Sequence, residues 1–307
     1  MKIGLALGSG GARGWASIGV IRELEAAGVK PDVVAGTSMG AVVGAFYALG
    51  RLDELERFGK TLTNKRLLSL MDLTFTGQSF FSGKKLMVEV QRTLNGAKFS
   101  DCTVPLGVVT TEVGNGHEVW LRDGPLCVAL AASCALPGVL DPVKINGSWC
   151  IDGALVNPVP VTLARAMGAD VVVSVNVVSD TMYRSRLLHE VIEGREDART
   201  VEKAIDKSIL RFIPGFKGDG AEKPPPVASI MSSSLDIMLD RIRRARLAGD
   251  PPDASVNVRV DEAGMFDFHM CAELIEIGRR AARAMMPNVL ETLGRTCPSG
   301  VAVDGTE

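Results

Sequence analysis

The chain has 307 residues, of which 46% are hydrophobic, and 34 Lys+Arg set against 36 Asp+Glu leave a formal charge of -2. Such a length accommodates one large α/β domain or two smaller ones and buries enough surface to hold a core without disulfides or metal. Near-neutral charge removes the electrostatic motive for nucleic-acid binding, and the composition fits neither a collagen-like, a disordered nor a disulfide-scaffold chain.

Residues 2–7 form an apolar run suited to a central strand covered on both faces, followed by Gly8-Ser9-Gly10-Gly11-Ala12-Arg13-Gly14. Ile18, Ile21, Leu24 and Glu25 then recur at helical spacing up to Gly28. Pro31–Ala35 reads as a second strand, and Gly36-Thr37-Ser38-Met39-Gly40 as a sharp turn into a small-residue helix at 41–49. This strand–helix–strand–helix order predicts a right-handed start to a mainly parallel sheet. Residues 52–95 read as a helical excursion.

Leu106–Val113 and His117–Leu121 read as a hairpin across Gly114-Asn115-Gly116, and Leu126–Leu136 as a helix stopped by Pro137-Gly138. Val143–Ile145 and Trp149–Ile151 flank the turn dipeptide Asn146-Gly147, and Asp152-Gly153-Ala154 follows directly. A helix over 160–167 leads to a buried, valine-rich strand over 170–178. Residues 181–226 are charged and rich in Gly and Pro, as in a flexible connection. Beyond them come an amphipathic helix over 230–247, with Leu235, Met238, Ile242 and Ala245 on one stripe, a last strand over 255–260 and a last helix over 272–285. The expected organisation is a catalytic α/β core over 1–180 and a C-terminal helical elaboration over 181–307 packed on the same domain.

Two uncharged runs, Val33–Gly50 and Gly124–Leu140, carry too many Gly or Pro residues for membrane spans and read as core. The first residues lack the continuous apolar stretch of a signal peptide, so the expected compartment is the cytosol. Cysteines at 102, 127, 134, 150, 271 and 297 lack metal-knuckle spacing and read as mostly buried thiols.

Gly36–Gly40 has the pattern G-x-S-x-G between a strand and a helix, a turn that lifts a serine hydroxyl clear of the sheet. The Gly8–Gly14 loop ends the neighbouring strand at the same sheet edge, where side-chain-free residues let backbone N–H groups approach a developing oxyanion. For a base, the chain offers His117, His189, His269 and the strand-end Asp152. The two earlier histidines read as solvated, and Asp152 becomes a useful base only if desolvation raises its pKa.

Taken together and in this order, the Gly8–Gly14 loop, the Gly36–Gly40 elbow and Asp152-Gly153-Ala154 resemble the patatin-like phospholipases, in particular their bacterial single-domain branch. The resemblance extends through residues 50–72, 131–138, 157–160, 246–253 and 267–269. It implies a three-layer α/β/α fold and a Ser–Asp dyad, with Ser38 as nucleophile and Asp152 as base. The Gly10, Gly11 and Arg13 amides would form the oxyanion hole, and lipid acyl esters would be cleaved without metal or other cofactor. Ser9 stands where many members have glycine.

Three other readings fit parts of the pattern. A Ser38–Asp152–His269 triad has the right chain order, but its fold places several strands before the serine. A dinucleotide loop at Gly8, Gly10 and Gly14 lacks the acidic residue expected at the end of the second strand. A regulatory or lipid-binding protein on the same fold would not require the dyad residues to be present. Arg241, Arg243, Arg244 and Arg246 read as a solvated helix face offset by Asp236, Asp240 and Asp250, with anionic head groups at a membrane surface as the alternative partner. Phe75, Phe80 and Phe81 read equally as a lid over an acyl pocket or as ordinary core.

Overall fold

A computed structural model describes residues 1–63, 66, 84–178, 227–260 and 263–295. The phenylalanines at 75, 80 and 81, His189, Cys297 and the 181–226 connection fall outside these residues.

Eight strands form one sheet in the order β5-β6-β3-β2-β1-β7-β8, with β4 also on β3. They are β1 (Ile3–Leu7), β2 (Val33–Thr37), β3 (Leu106–Glu112), β4 (Glu118–Leu121), β5 (Val143–Ile145), β6 (Ser148–Asp152), β7 (Val171–Val178) and β8 (Ala254–Arg259). β3, β2, β1, β7 and β8 run parallel, and β4, β5 and β6 add antiparallel pairings at the β3 side. The β5–β6 turn places both Asn146 and Gly147 at positive φ, as an Asn-Gly hairpin requires.

Alternation along β1 explains the layers. Ile3, Leu5 and Leu7 face the larger core, built with α1 (Ala16–Ala26), α2 (Met39–Ala48), α3 (Leu52–Lys60), α4 (Lys84–Leu94), α5 (Leu126–Ser133) and α8 (Cys271–Thr292). On the other face Ala6, Ala35, Val109 and Val172 meet the short α6 (Val161–Ala166). Small residues let α6 sit close: a Cβ on Gly4 would lie 3.3 Å from the Ala164 Cβ. The last helix before β8, α7 (Val227–Gly249), reaches this second face through Leu247.

Three expectations need correction. The helix over 126–136 ends at Ser133, because the chain turns so that the Ala135 carbonyl accepts the Asp152 N–H at 3.0 Å. The final helix continues through Pro287 to Thr292, where buried Val289 and Leu290 anchor an extra turn whose packing outweighs the lost N–H. The inward stripe of α7 is also misplaced by periodicity alone. Met238 and Ala245 are exposed, whereas Asp236, Asp240 and Arg243 turn inward with Leu239. β7 offers Ser174 and Asn176 on the face opposite its core valines, paired with Ser255 and Asn257 of β8, so that side of the sheet does not demand an apolar helix stripe.

α1 and α8 cross with their backbones in contact. A Cβ on Gly19 would lie 1.9 Å from the Ile275 carbonyl oxygen, and one on Gly278 would lie 1.9 Å from that of Ala16. Among the described residues, no helix is long and apolar enough to cross a membrane.

Candidate active site

β3 brings the two halves of the site together. Its successive residues Val109 and Thr110 pair with Thr37, the last residue of β2, and with Asp152, the last residue of β6. Two segments more than a hundred residues apart in sequence therefore end side by side, and the Ser38 hydroxyl donates to Asp152 Oδ2 at 2.8 Å.

The elbow is tight enough to need its glycines. Ser38 has φ 55 and ψ −125, a strained conformation for a residue with a side chain. A Cβ on Gly40 would stand 2.2 Å from the Leu7 carbonyl oxygen and 2.5 Å from that of Gly8, so α2 starts hard against the end of β1. The start of α2 directly behind Ser38 directs the positive end of its dipole at the site.

Sequence reasoning missed the partners that hold this strain. The Ser38 N–H donates to Ser133 Oγ at 2.8 Å, and Ser133 in turn donates to the Val109 carbonyl at 2.6 Å. Thr37 Oγ1 donates to the Asn157 carbonyl at 2.8 Å, and Asn157 Nδ2 donates to Glu118 at 2.7 Å. Ser133 carried a signal: it is the one hydroxyl in a small-residue apolar helix, and a buried hydroxyl must find a partner.

Asp152 is 2% exposed. Burial raises its pKa from the ordinary 3.8 to about 7, against the opposing pull of hydrogen bonds from the Ala154 N–H and the Ser38 hydroxyl. The Ala154 bond, 2.8 Å to Oδ1, fixes the carboxylate plane and leaves Oδ2 for serine. Beside it, burial first and the Asp152 charge second push the Cys134 thiol pKa far up, so that sulfur stays protonated at neutral pH.

The Gly8–Gly14 loop lines the same cavity as Ser38 and Asp152. Gly8 and Ser9 spend their N–H groups on Val175 and Pro158, and Ala12 spends its own on Met265. The Gly10 and Gly11 N–H groups have no hydrogen-bond partner among the described residues. Arg13 follows in the 3-10 turn Gly11–Trp15, with its side chain buried. Ser38, Asp152, Gly10, Gly11 and Arg13 all line the cavity, whose walls include Met39, Val42, Leu55, Phe58, Leu62 and Val90. Most of the lining is apolar, and Ser38 and Asp152 are among its polar members.

His269 does not line it, and its Nδ1 stands 3.9 Å from Asp267 Oδ1. His117 sits exposed at the β3–β4 turn. The basic run on α7 is divided. Arg241 and Arg244 are exposed, as a solvated face requires, but Arg243 turns inward to pair with Asp240, and Arg246 pairs with Glu118. Its inward members belong to the cavity wall and to the support of Asn157, which a one-dimensional charge count cannot separate from the outer face.

A model of the family described as patatin-like phospholipase matches residues 5–165. The chain belongs to the patatin-like phospholipase family. Gly8, Gly10 and Gly14 therefore form a patatin-like loop rather than a dinucleotide fingerprint. This patatin-like chain is 28% identical to an uncharacterized NTE family protein of Mycobacterium tuberculosis, over 92% of the chain and 90% of that protein. It is 27% identical to the lysophospholipase NTE1 of Phaeosphaeria nodorum over 94% of its own length but 18% of the fungal protein. Human patatin-like phospholipase domain-containing protein 6 is 35% identical over 57% of the chain and 13% of the human protein. Among solved structures, VipD of Legionella pneumophila aligns with a TM-score of 0.49 and 15% identity, over 94% of this chain and 66% of that one.

Proposed function

We propose that this chain is a serine acyl-ester hydrolase of lipids, of the phospholipase or lysophospholipase type, working through a Ser38–Asp152 dyad. The observation that carries the reading is the direct 2.8 Å hydrogen bond from Ser38 to a buried carboxylate whose pKa stands near 7. A base so placed is half ionised at neutral pH and strong enough to take a serine proton as the bond to carbon forms. The absence of His269 from the cavity supports the dyad over the triad.

In the first half-reaction Ser38 Oγ attacks the ester carbonyl while its proton passes to Asp152. The carbonyl oxygen becomes an oxyanion facing the Gly10 and Gly11 N–H groups and the Arg13 amide. Loss of a single such donor costs about 2.7–4 kcal/mol of transition-state stabilisation. Asp152 then gives its proton to the leaving alkoxide, and an acyl-Ser38 ester remains. Water attacks that ester, Asp152 accepts the water proton and returns it to Ser38 Oγ, and the fatty acid leaves. The apolar wall from Met39 to Val90 suits an acyl chain. The lysophospholipase named among the relatives supports a lipid ester as substrate.

The test is labelling by a fluorophosphonate, with the modified peptide mapped by mass, alongside turnover of a lipid ester panel. Labelling at Ser38 is expected. On a soluble chromogenic ester kcat/KM is expected to rise with pH and level off above about 7, because the proton that Asp152 carries below that value blocks it as a base. A profile flat from about pH 5 to 9, or a label on another residue, refutes the assignment.

The outer face of α7 supports contact with a lipid interface: Ile230, Ile237 and Met238 are about half exposed, with Arg241 and Arg244 further along the same helix. Ile237→Glu with Met238→Glu is expected to weaken binding to anionic-lipid vesicles about tenfold and to leave turnover of a soluble ester unchanged. Equal pelleting of variant and wild type with such vesicles would count against this face.

A further inference from the structure

The Gly8–Gly14 loop is held by parts of the chain that lie beyond residue 165, where the family match ends. The Ala12 N–H donates to the Met265 carbonyl at 2.8 Å, and a Cβ on Gly11 would stand 2.4 Å from that same oxygen. Arg13 Nε donates to the Ala263 carbonyl at 2.9 Å. The Arg13 guanidinium, 5% exposed, has Nη2 3.8 Å from Oδ2 of Asp236, itself 10% exposed, on the inward face of α7. Two turns on, Arg243 donates to the Val177 carbonyl at 3.0 Å, and a Cβ on Gly10 would meet the Val177 Cβ at 3.5 Å, an ordinary van der Waals contact. α7 thus touches the loop through Arg13 and through the strand end on which Gly10 rests.

A guanidinium this deep is tolerable only beside a compensating charge, and the compensating charge fixes where it sits. The guanidinium is joined to the backbone of residue 13, the last of the three amides assigned to the oxyanion hole, through a buried side chain that the Ala263 carbonyl holds at Nε. We infer that Asp236, acting through Arg13, is a positioning residue that holds the loop amides in register with Ser38. This rests on the reading of Gly10, Gly11 and Arg13 as oxyanion donors. A displacement of such donors by about 1 Å lowers kcat by up to about a hundredfold and touches ground-state binding little.

The experiment uses the full chain, a soluble chromogenic ester and fluorophosphonate labelling rates. Asp236→Asn is expected to lower kcat about 10- to 100-fold with KM within about threefold, and to slow labelling in parallel. Asp236→Glu is expected to restore most of the rate. The double variant Arg13→Gln/Asp236→Asn leaves no unpaired buried charge and is expected to be no slower than Arg13→Gln alone, since the two act in series. It also keeps the idea testable if Asp236→Asn folds poorly. The inference is overturned by unchanged kcat in Asp236→Asn, by a rise in KM at constant kcat, by failure of Glu to rescue, or by additive losses in the double variant. Full activity in Asp236→Asn, with none in Ser38→Ala, removes the role of Asp236 and leaves the dyad standing. Activity surviving in Ser38→Ala overturns both.

Discussion

Replacing Asp152 with Asn is expected to lower kcat/KM by about four orders of magnitude and at the same time to stabilise the fold above pH 7. An asparagine oxygen still accepts the Ala154 N–H and the amide fills the same space, but it cannot take the Ser38 proton. Ser38→Ala removes the attacking oxygen and is expected to cost about as much. The double variant is expected to be no slower than the slower single, because groups that act as one unit lose their contribution once. A double variant slower by the product of the two factors would mean that they work independently. The stability arm follows from proton linkage. With a folded-state pKa of about 7 against an ordinary 3.8, the native state binds more protons than the unfolded state between those values, so stability falls as pH rises through that window. Asparagine escapes the penalty. Three pKa units correspond to about 4 kcal/mol, and a weakened hydrogen bond returns about 1, which leaves a gain on the order of 3 kcal/mol at pH 8 that vanishes below about pH 4. Urea unfolding at the two pH values reads it, and equal midpoints at pH 8 would show that Asp152 carries no such desolvation penalty.

Gly40→Ala is expected to destabilise by more than about 4 kcal/mol, enough to leave much of the chain unfolded. The methyl group would meet two carbonyl oxygens at 2.2 and 2.5 Å, and both belong to backbone that cannot swing aside. Gly28→Ala is the informative contrast. Gly28 has φ +73 with nothing within 4 Å of a Cβ, so alanine there pays only the left-handed penalty of about 1–2 kcal/mol. Denaturant titration of the two variants separates steric exclusion from backbone strain, and similar losses would argue that α2 does not press on β1 as described.

The sheet and the elbow were legible because their signals are local. The uncharged run Ile3–Leu7, stopped by Gly8, makes β1, and G-x-S-x-G between a strand and a helix makes the elbow, whatever the rest of the chain does. What brings Ser38 to Asp152 is less visible, since it lies in the register of β3 against two other strands, and pairing register is a relation between segments. Ser133 was hidden for the same reason: its partners are 24 and 95 residues away. α7 was misread in rotation because periodicity assumes that the apolar stripe faces inward, whereas this helix buries Asp236, Asp240 and Arg243 beside a polar strip and a cavity. α8 was ended early because proline weighs heavily in a local reading and the burial of Val289 and Leu290 not at all.

The crossing of α1 and α8 through Gly19 and Gly278 bears on how the molecule is made. Ribosomes deliver β1, the glycine loop and Ser38 first, yet α1 finds its cover only after residue 278 has emerged. β1 likewise waits for β7 to complete its second edge, and Ala12 waits for Met265. Contacts that span most of the chain are slow to form. During translation Ser38 therefore travels on an unfinished scaffold, with its loop unbraced until the distant segments arrive, so a chain stalled part-way through synthesis holds both Ser38 and Asp152 without the loop geometry around them.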